Sequence, residues 1–497
     1  MTKPLKINAS AAVLEQVIVG LSFFIIYGVL YRQAGAERVG ILSLVMIMAN
    51  LGSMAGAGFA SALSHFVPKL ESEGRRKETI EYIDTTILCS IAIYIVVLGI
   101  IYVPFVDFIG KQVGLAHTEL VNGLAPLAVI YTLFLGVGSA NSLILTALQR
   151  NDLRLWSTGI GAIVGLAVLV ICAPSYGIVG GALAMNAQVV TTTFMAWLQL
   201  TKILPELGPM PSKFGKSTAR KVVNLGTNVQ VQTLLLAAIE PTTRLFLGHF
   251  GSLSAVADFS LASRFVIQVR ALIFSGAQPL LSAFSHQRNN PSKLAYLYGI
   301  AQTTVTTLAI IIFSGAIAAA PFIQEIWTGD SSGKFTVFVI WLAIGWMANT
   351  LTLPAYFNSY SLGKMNGSLF GHMILCFINI IFGAGLAFRF GSDGAVAGMA
   401  AALIISAILL GHTNGRFTPI EAPPPFNWRD AALLVLGIFA AAIGLNAYLV
   451  LRSNMPPIFA GIACGIIWAA LLSPALLFND VLRATTTKLR IRIGRKN

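Results

Sequence analysis

The sequence predicts an all-α, polytopic membrane protein of about fourteen transmembrane helices: two six-helix lobes related by a parallel internal repeat, plus two extra helices. Three observations predict it. The chain is 56% hydrophobic and only 10% charged, with a mean hydropathy of +0.78 over 497 residues, far from soluble domains. It holds about fourteen apolar stretches near the ~20 residues that cross a ~30 Å hydrocarbon core. Its two halves also share short patterns at a near-constant offset.

In chain order, the stretches of the first half are 11–31, 39–64, 83–106, 120–147, 157–174 and 178–200. Those of the second half are 225–248, 255–285, 295–321, 335–360, 367–388 and 394–412, and the appended pair is 431–451 and 456–478. With a cytoplasmic N-terminus, 24 of the 33 Lys and Arg fall on the cytoplasmic side, 6 outside and 3 within helices. The excess of inner Lys and Arg supports both the number of helices and the orientation, with both termini cytoplasmic. Basic loops such as "EGRRK" (73–77) and the tail "KLRIRIGRKN" (488–497) suit anionic lipids, which makes nucleic acid a poor partner. No cleavable signal peptide is expected, because "MTKPLKINAS" runs into a helix long enough to span and lacks a convincing cleavage site.

The repeat rests on three pairs in the same order. "SALSH" (61–65) matches "SAFSH" (282–286), "LQR" (148–150) matches "LGK" (362–364), and "YGIVGGALAM" (176–185) matches "FGSDGAVAGM" (390–399). The last aligns Gly177 with Gly391, Gly180 with Gly394 and Met185 with Met399. Six helices per half is an even number, so the halves share one orientation and substrate is expected between them. The expected division is an N-lobe over 1–202, a cytoplasmic linker over 203–220 and a C-lobe over 221–412. A second linker over 413–429, helices 13 and 14 within 430–478, and a basic cytoplasmic tail over 479–497 complete it. The first linker, rich in Pro, Gly and Lys, reads as a hinge.

Several chemistries are excluded. "FGKST" (214–218) resembles a phosphate-binding loop, but Met210 stands where that loop needs its first Gly and no strand precedes it. Cys89, Cys172, Cys376 and Cys464 lie singly in four apolar spans, with neither a pair spacing nor a metal-ligand pattern, and read as core residues. No loop gathers a catalytic set, so neither an enzyme nor a metal site is expected.

The charged residues inside spans carry the functional reading. In "LASRFVIQVRALIF" (261–274), Arg264 and Arg270 fall roughly 14 Å and roughly 23 Å along a helix starting near Ala255, so neither sits at an interface. A central Arg costs at least ~2.5 kcal/mol on insertion scales and needs a wet cavity or a partner. Helical spacing aligns Ser260, Arg264, Gln268, Ala271, Ser275, Gln278 and Ser282 as the wall of a cavity. The repeat places Arg264 on Ser43 and Arg270 on Ala49, so the first half manages without these cations. Pairing with Asp258 or Glu240, or a snorkelling Arg270, is the structural alternative. In "IEPTTR" (239–244), Glu240 and Arg244 stand at pairing distance around a kinking Pro241. Glu240 is the ion-coupling candidate. The first half is polar without cations: Asn50, Ser43, Ser53 and Ser61 on helix 2, with Glu15 and Gln16 near the inner end of helix 1. His65 and His286 sit at matching inner helix ends and read as structural.

This layout, with local patterns such as "PTTRLFLGHFGSLSAVADFSLASRF" (241–265), resembles the multidrug/oligosaccharidyl-lipid/polysaccharide (MOP) exporter superfamily, and within it the Wzx-type flippases of O-antigen and capsule assembly. The resemblance implies alternating-access export of an undecaprenyl-diphosphate-linked oligosaccharide across a bacterial inner membrane. Arg264, Arg270 and Arg244 would then hold the diphosphate, and Gln268, Ser275, Gln278 and Asn50 would face the cavity and its sugars. An Arg offers a planar fork of donors suited to phosphate oxygens. Helices 13 and 14 would border a groove for the lipid tail, as in lipid II flippases. Membrane lipids and polysaccharide polymerase or chain-length proteins are the further partners implied. No cofactor is implied beyond a coupling ion, H+ or Na+. Two departures matter. Lipid II flippases carry arginines in the first two helices, where this chain has only Arg32 and Arg38 at the outer ends. Drug exporters of the superfamily use an acid deep in helix 1, and "VGLSFFIIYGV" (19–29) has none, which leaves a cation-coupled, MATE-like multidrug antiporter as the alternative.

Overall fold

A computed structural model describes residues 5–49, 63, 66–67, 70–71, 73–277, 280, 283–284, 290–329, 333–361, 366–417 and 428–478. Among the described residues there is no strand. The long helices are α1 (Leu5–Ala34), α2 (Ala36–Val45), α3 (Arg76–Val113), α4 (Thr118–Ala147), α5 (Asn151–Ile203), α6 (Lys216–Phe250) and α7 (Leu253–Ala277). They continue with α8 (Pro291–Thr328), α9 (Phe335–Thr350), α10 (Leu353–Ser361), α11 (Asn366–Phe417), α12 (Trp428–Arg452) and α13 (Pro457–Phe478). Among the described residues, eight helices are long and apolar enough to cross a membrane. Two of these, α5 and α11, each hold two predicted spans. α7 falls short for a physical reason, since it carries Asp258, Arg264 and Arg270. The fold is that of a multi-pass, all-α membrane protein.

The glycines of the repeat explain the double helices. Gly177 in α5 has φ 53°, ψ −123°, and Gly391 in α11 has φ 61°, ψ −136°, a backbone open in practice to glycine. Each reverses the chain between two antiparallel limbs. Just beyond, a Cβ on Gly180 would lie 2.4 Å from the carbonyl oxygen of Cys172, and one on Gly394 would lie 2.0 Å from that of Leu386. Cys172 and Leu386 differ by 214, as do the two kinks, so the repeat recurs as the same tight hairpin. In the second copy Lys334 donates to Asp393 and Ser392, both at 2.8 Å, and fastens the turn.

The chain forms two compact units, Met1–Ser260 and Leu261–Asn497, with the boundary inside α7. In the first, α5 packs on α1 and α4, and a core of Ile83, Ile87, Ile144, Leu145 and Leu200 joins α3, α4 and α5. The same core takes in Leu204 and Leu207, the start of the segment read as a hinge. That segment is tied down along its length. Trp197 Nε1 donates to the Pro209 carbonyl at 2.9 Å, and the Asp84 carboxylate, 1% exposed, accepts from the amides of Ser212 and Lys213 at 3.2 and 3.0 Å. Thr85 accepts from the Gly215 amide at 3.0 Å, and α6 already begins at Lys216. Proline and glycine here serve a strap that follows the surface of α3.

In the second unit α8 packs on α9, α12 and α13, and α9 on α11. Asn290 caps α8, its side chain accepting from the Lys293 amide at 3.2 Å ahead of Pro291 in the first turn. The appended pair α12 and α13 meets α8 through small residues: Ala318, Ala460 and Cys464 are buried together with Tyr448. Beside these residues, Glu325 of α8 accepts from Tyr448 and Arg452 of α12, both at 2.7 Å. The face of the pair toward α8 is therefore filled by side chains.

Candidate functional site

The structure distributes the predicted charged residues over two settings. In the first unit, α6 brings Glu240 and Arg244 together at 3.1 Å, one turn apart around Pro241. Arg244 is 3% exposed, so its guanidinium is held in the protein rather than extended to an outer headgroup. Asp258 of α7 is also buried and accepts from the Tyr31 hydroxyl at 2.9 Å.

In the second unit, α7 carries Arg264, Gln268, Arg270 and Ser275, all half-buried. The helix starts where Ser252 Oγ accepts from the Ala255 amide at 3.2 Å, which fixes the register of everything downstream. Ser260 departs from the expected stripe: it is buried and donates to the Val256 carbonyl of its own helix. Gln278 and Ser282 of that stripe lie outside the described residues, as do Asn50, Ser53, Ser61, His65 and His286.

Arg270 is the better defined of the two arginines. Its guanidinium lies 4.5 Å from the Trp346 ring and 5.8 Å from Phe274, and Nη2 donates to Asn349 Oδ1 at 3.2 Å. Phe274 is in turn backed by Phe357 of α10 at 5.5 Å. Such stacking keeps a cation off an interface, so Arg270 does not snorkel. Its Nε and the indole Nε1 of Trp346 make no hydrogen bond. Tyr356 and His372 lie within electrostatic reach.

Two participants were not legible as site residues. His372 of α11 is 8% exposed and its Nδ1 has no hydrogen-bond partner. In the sequence it is one polar residue in an apolar run, and only its electrostatic reach to Arg270 gives it meaning. Glu15, read as helix glue, is 8% exposed and accepts from Arg154 and, at 3.1 Å, from Thr158. Arg154 falls in the inner basic set by the loop rule, and nothing in its local pattern announces a buried partner 139 residues away.

Residues 5–285 match the family model described as "Polysaccharide biosynthesis protein". The chain belongs to this polysaccharide biosynthesis family. No individual curated protein matches it. Among solved structures it is similar to the lipid II flippase MurJ in an inward closed conformation, with 16% identity, 95% of this chain and 99% of the other covered, and a TM-score of 0.68. It is also similar to an inward-facing multidrug resistance MATE family transporter of the MOP superfamily, with 15% identity, 85% and 98% covered, and a TM-score of 0.63. A third is a MOP superfamily transporter from Pyrococcus furiosus, at 16% identity, 86% and 95% covered, and a TM-score of 0.56. The polysaccharide biosynthesis family member thus has the MOP fold, a fold of transporters and flippases.

Proposed function

We propose that the protein is a Wzx-type flippase moving an undecaprenyl-diphosphate-linked oligosaccharide across a bacterial inner membrane by alternating access, with cytoplasmic termini. The observation that carries the reading is the α7 cation pair: Arg264 and Arg270 lie within an otherwise largely apolar helix, and among the described residues Arg270 is positioned by Trp346 and Asn349 with no carboxylate at hydrogen-bond distance. A cation kept charged in a water-poor site is a costly arrangement that a diphosphate anion offsets. Membership of a polysaccharide biosynthesis family and the likeness to a lipid II flippase support the same substrate class. Gln268 and Ser275 are the described candidates for sugar contacts, and Asn50 and Gln278 complete the proposed set. Arg244, paired with Glu240, is proposed as a further diphosphate ligand, and Glu240 as the coupling acid for H+ or Na+. The implied polymerase and chain-length proteins are proposed as neighbours in the same assembly line.

The likeness to a multidrug transporter favours a second reading, a cation-coupled drug antiporter. Complementation separates the two. In a strain lacking its own flippase, wild type restores surface glycan and Arg264→Ala abolishes it at equal levels of folded protein. Unchanged export by the variant removes Arg264 from the site, and drug sensitivity on deletion with intact surface glycan favours the antiporter.

A further inference from the structure

The first unit holds a half-open cavity of about 190 Å³ among α1, α4 and the two limbs of α5. At ~30 Å³ per water it has room for roughly six waters, and it is smaller than the ~300 Å³ at which drug-sized pockets begin. One sugar ring is of this scale.

The lining has a definite chemistry. Among the described residues no hydrogen bond engages the hydroxyls of Ser142 and Thr192, and Gln188 uses only its Oε1, which accepts from Ser22 at 2.8 Å. These groups are held in place. A Cβ on Gly161 would lie 2.0 Å from Thr192 Oγ1, so the close approach of the two limbs of α5 sets where that hydroxyl stands. The rings of Phe23 and Tyr131 line the same space. Glu15 also borders it, but its charge is matched by Arg154. The cavity therefore offers apolar ring faces, two hydroxyls and an amide, with no net charge to attract an ion. That set suits a neutral polyol with one apolar face.

We propose that this cavity is a subsite for one neutral sugar ring of the transported glycan, a specificity site built by the first unit alone. The inference rests on the flippase reading, and its test distinguishes failure of one from failure of the other. Binding to purified protein is measured for farnesyl diphosphate, bare and carrying N-acetylglucosamine, galactose or glucose. Thr192→Val and Ser142→Ala remove hydroxyls that serve no hydrogen bond among the described residues, so the fold is expected to stand, and Thr192→Ser is the rescue. At least one sugar-bearing carrier is expected to bind wild type more tightly than the bare one. Each hydroxyl deletion is expected to weaken that carrier roughly 3- to 10-fold and leave the bare carrier unchanged. Equal binding of bare and sugar-bearing carriers to wild type overturns the subsite while the diphosphate reading stands. A sugar preference untouched by either variant overturns it too, placing sugar recognition elsewhere. Failure of every carrier to bind overturns the flippase reading itself.

Discussion

Replacing Gly177 or Gly391 by alanine places a Cβ on backbone at φ 53°, ψ −123° or φ 61°, ψ −136°. Nothing lies within 4 Å of the position a Cβ would take at Gly177, so the penalty there is conformational rather than steric. Holding a non-glycine residue in such a region costs of order ~1–3 kcal/mol. In units of roughly 150–250 residues each kcal/mol moves Tm by ~2–4 °C, so each variant is expected to melt ~2–12 °C below wild type. The two sites lie in different units, so the double variant is expected to lose about the sum. Unfolding of the detergent-solubilised protein, followed by tryptophan fluorescence against temperature, reads this directly. If Gly177→Ala and Gly391→Ala melt with wild type, the turns are not constrained as argued. If only one melts early, the two hairpins are not equivalent and the structural case for the repeat fails.

Asp84→Ala removes the charged acceptor of two backbone amides, each such bond being worth ~1.5–3 kcal/mol, and is expected to free the strap. Trypsin should then cut at Lys213 or Lys216 markedly faster than in wild type, and an unchanged rate would show that the segment is held by other contacts. Trp346→Phe keeps a ring under Arg270 whereas Trp346→Leu removes it, at a cost of ~0.5–2 kcal/mol for the cation–π contact. Tm is expected to fall in the order wild type, Phe, Leu, and equal values for the two variants would rule out a role for the ring face.

Much of the architecture is written in local patterns. Spanning segments announce themselves by length and apolarity, and the turns between limbs of α5 and α11 by glycines whose backbone no other residue adopts readily. Helix α7 was legible for the opposite reason, since charges in an apolar run demand an explanation. What the sequence conceals is set by packing across long separations. The strap depends on Asp84 meeting amides about 130 positions away, and composition alone makes the same residues look like a loose hinge. Ser260 belongs to the polar stripe by spacing, yet a hydroxyl can satisfy itself on its own helix, and that is what it does. Arg270 and His372 lie within electrostatic reach of each other from separate helices, and no periodicity within either segment encodes that meeting.

The central claim is that the α7 arginines are present for phosphate. Binding of bare farnesyl diphosphate to purified wild type and Arg264→Ala, beside a cationic dye, tests it most directly. The account predicts diphosphate binding that is lost in the variant, with little affinity for the dye. Dye binding alone, unaffected by Arg264→Ala, would contradict it, making the arginines structural ions and the protein a drug antiporter.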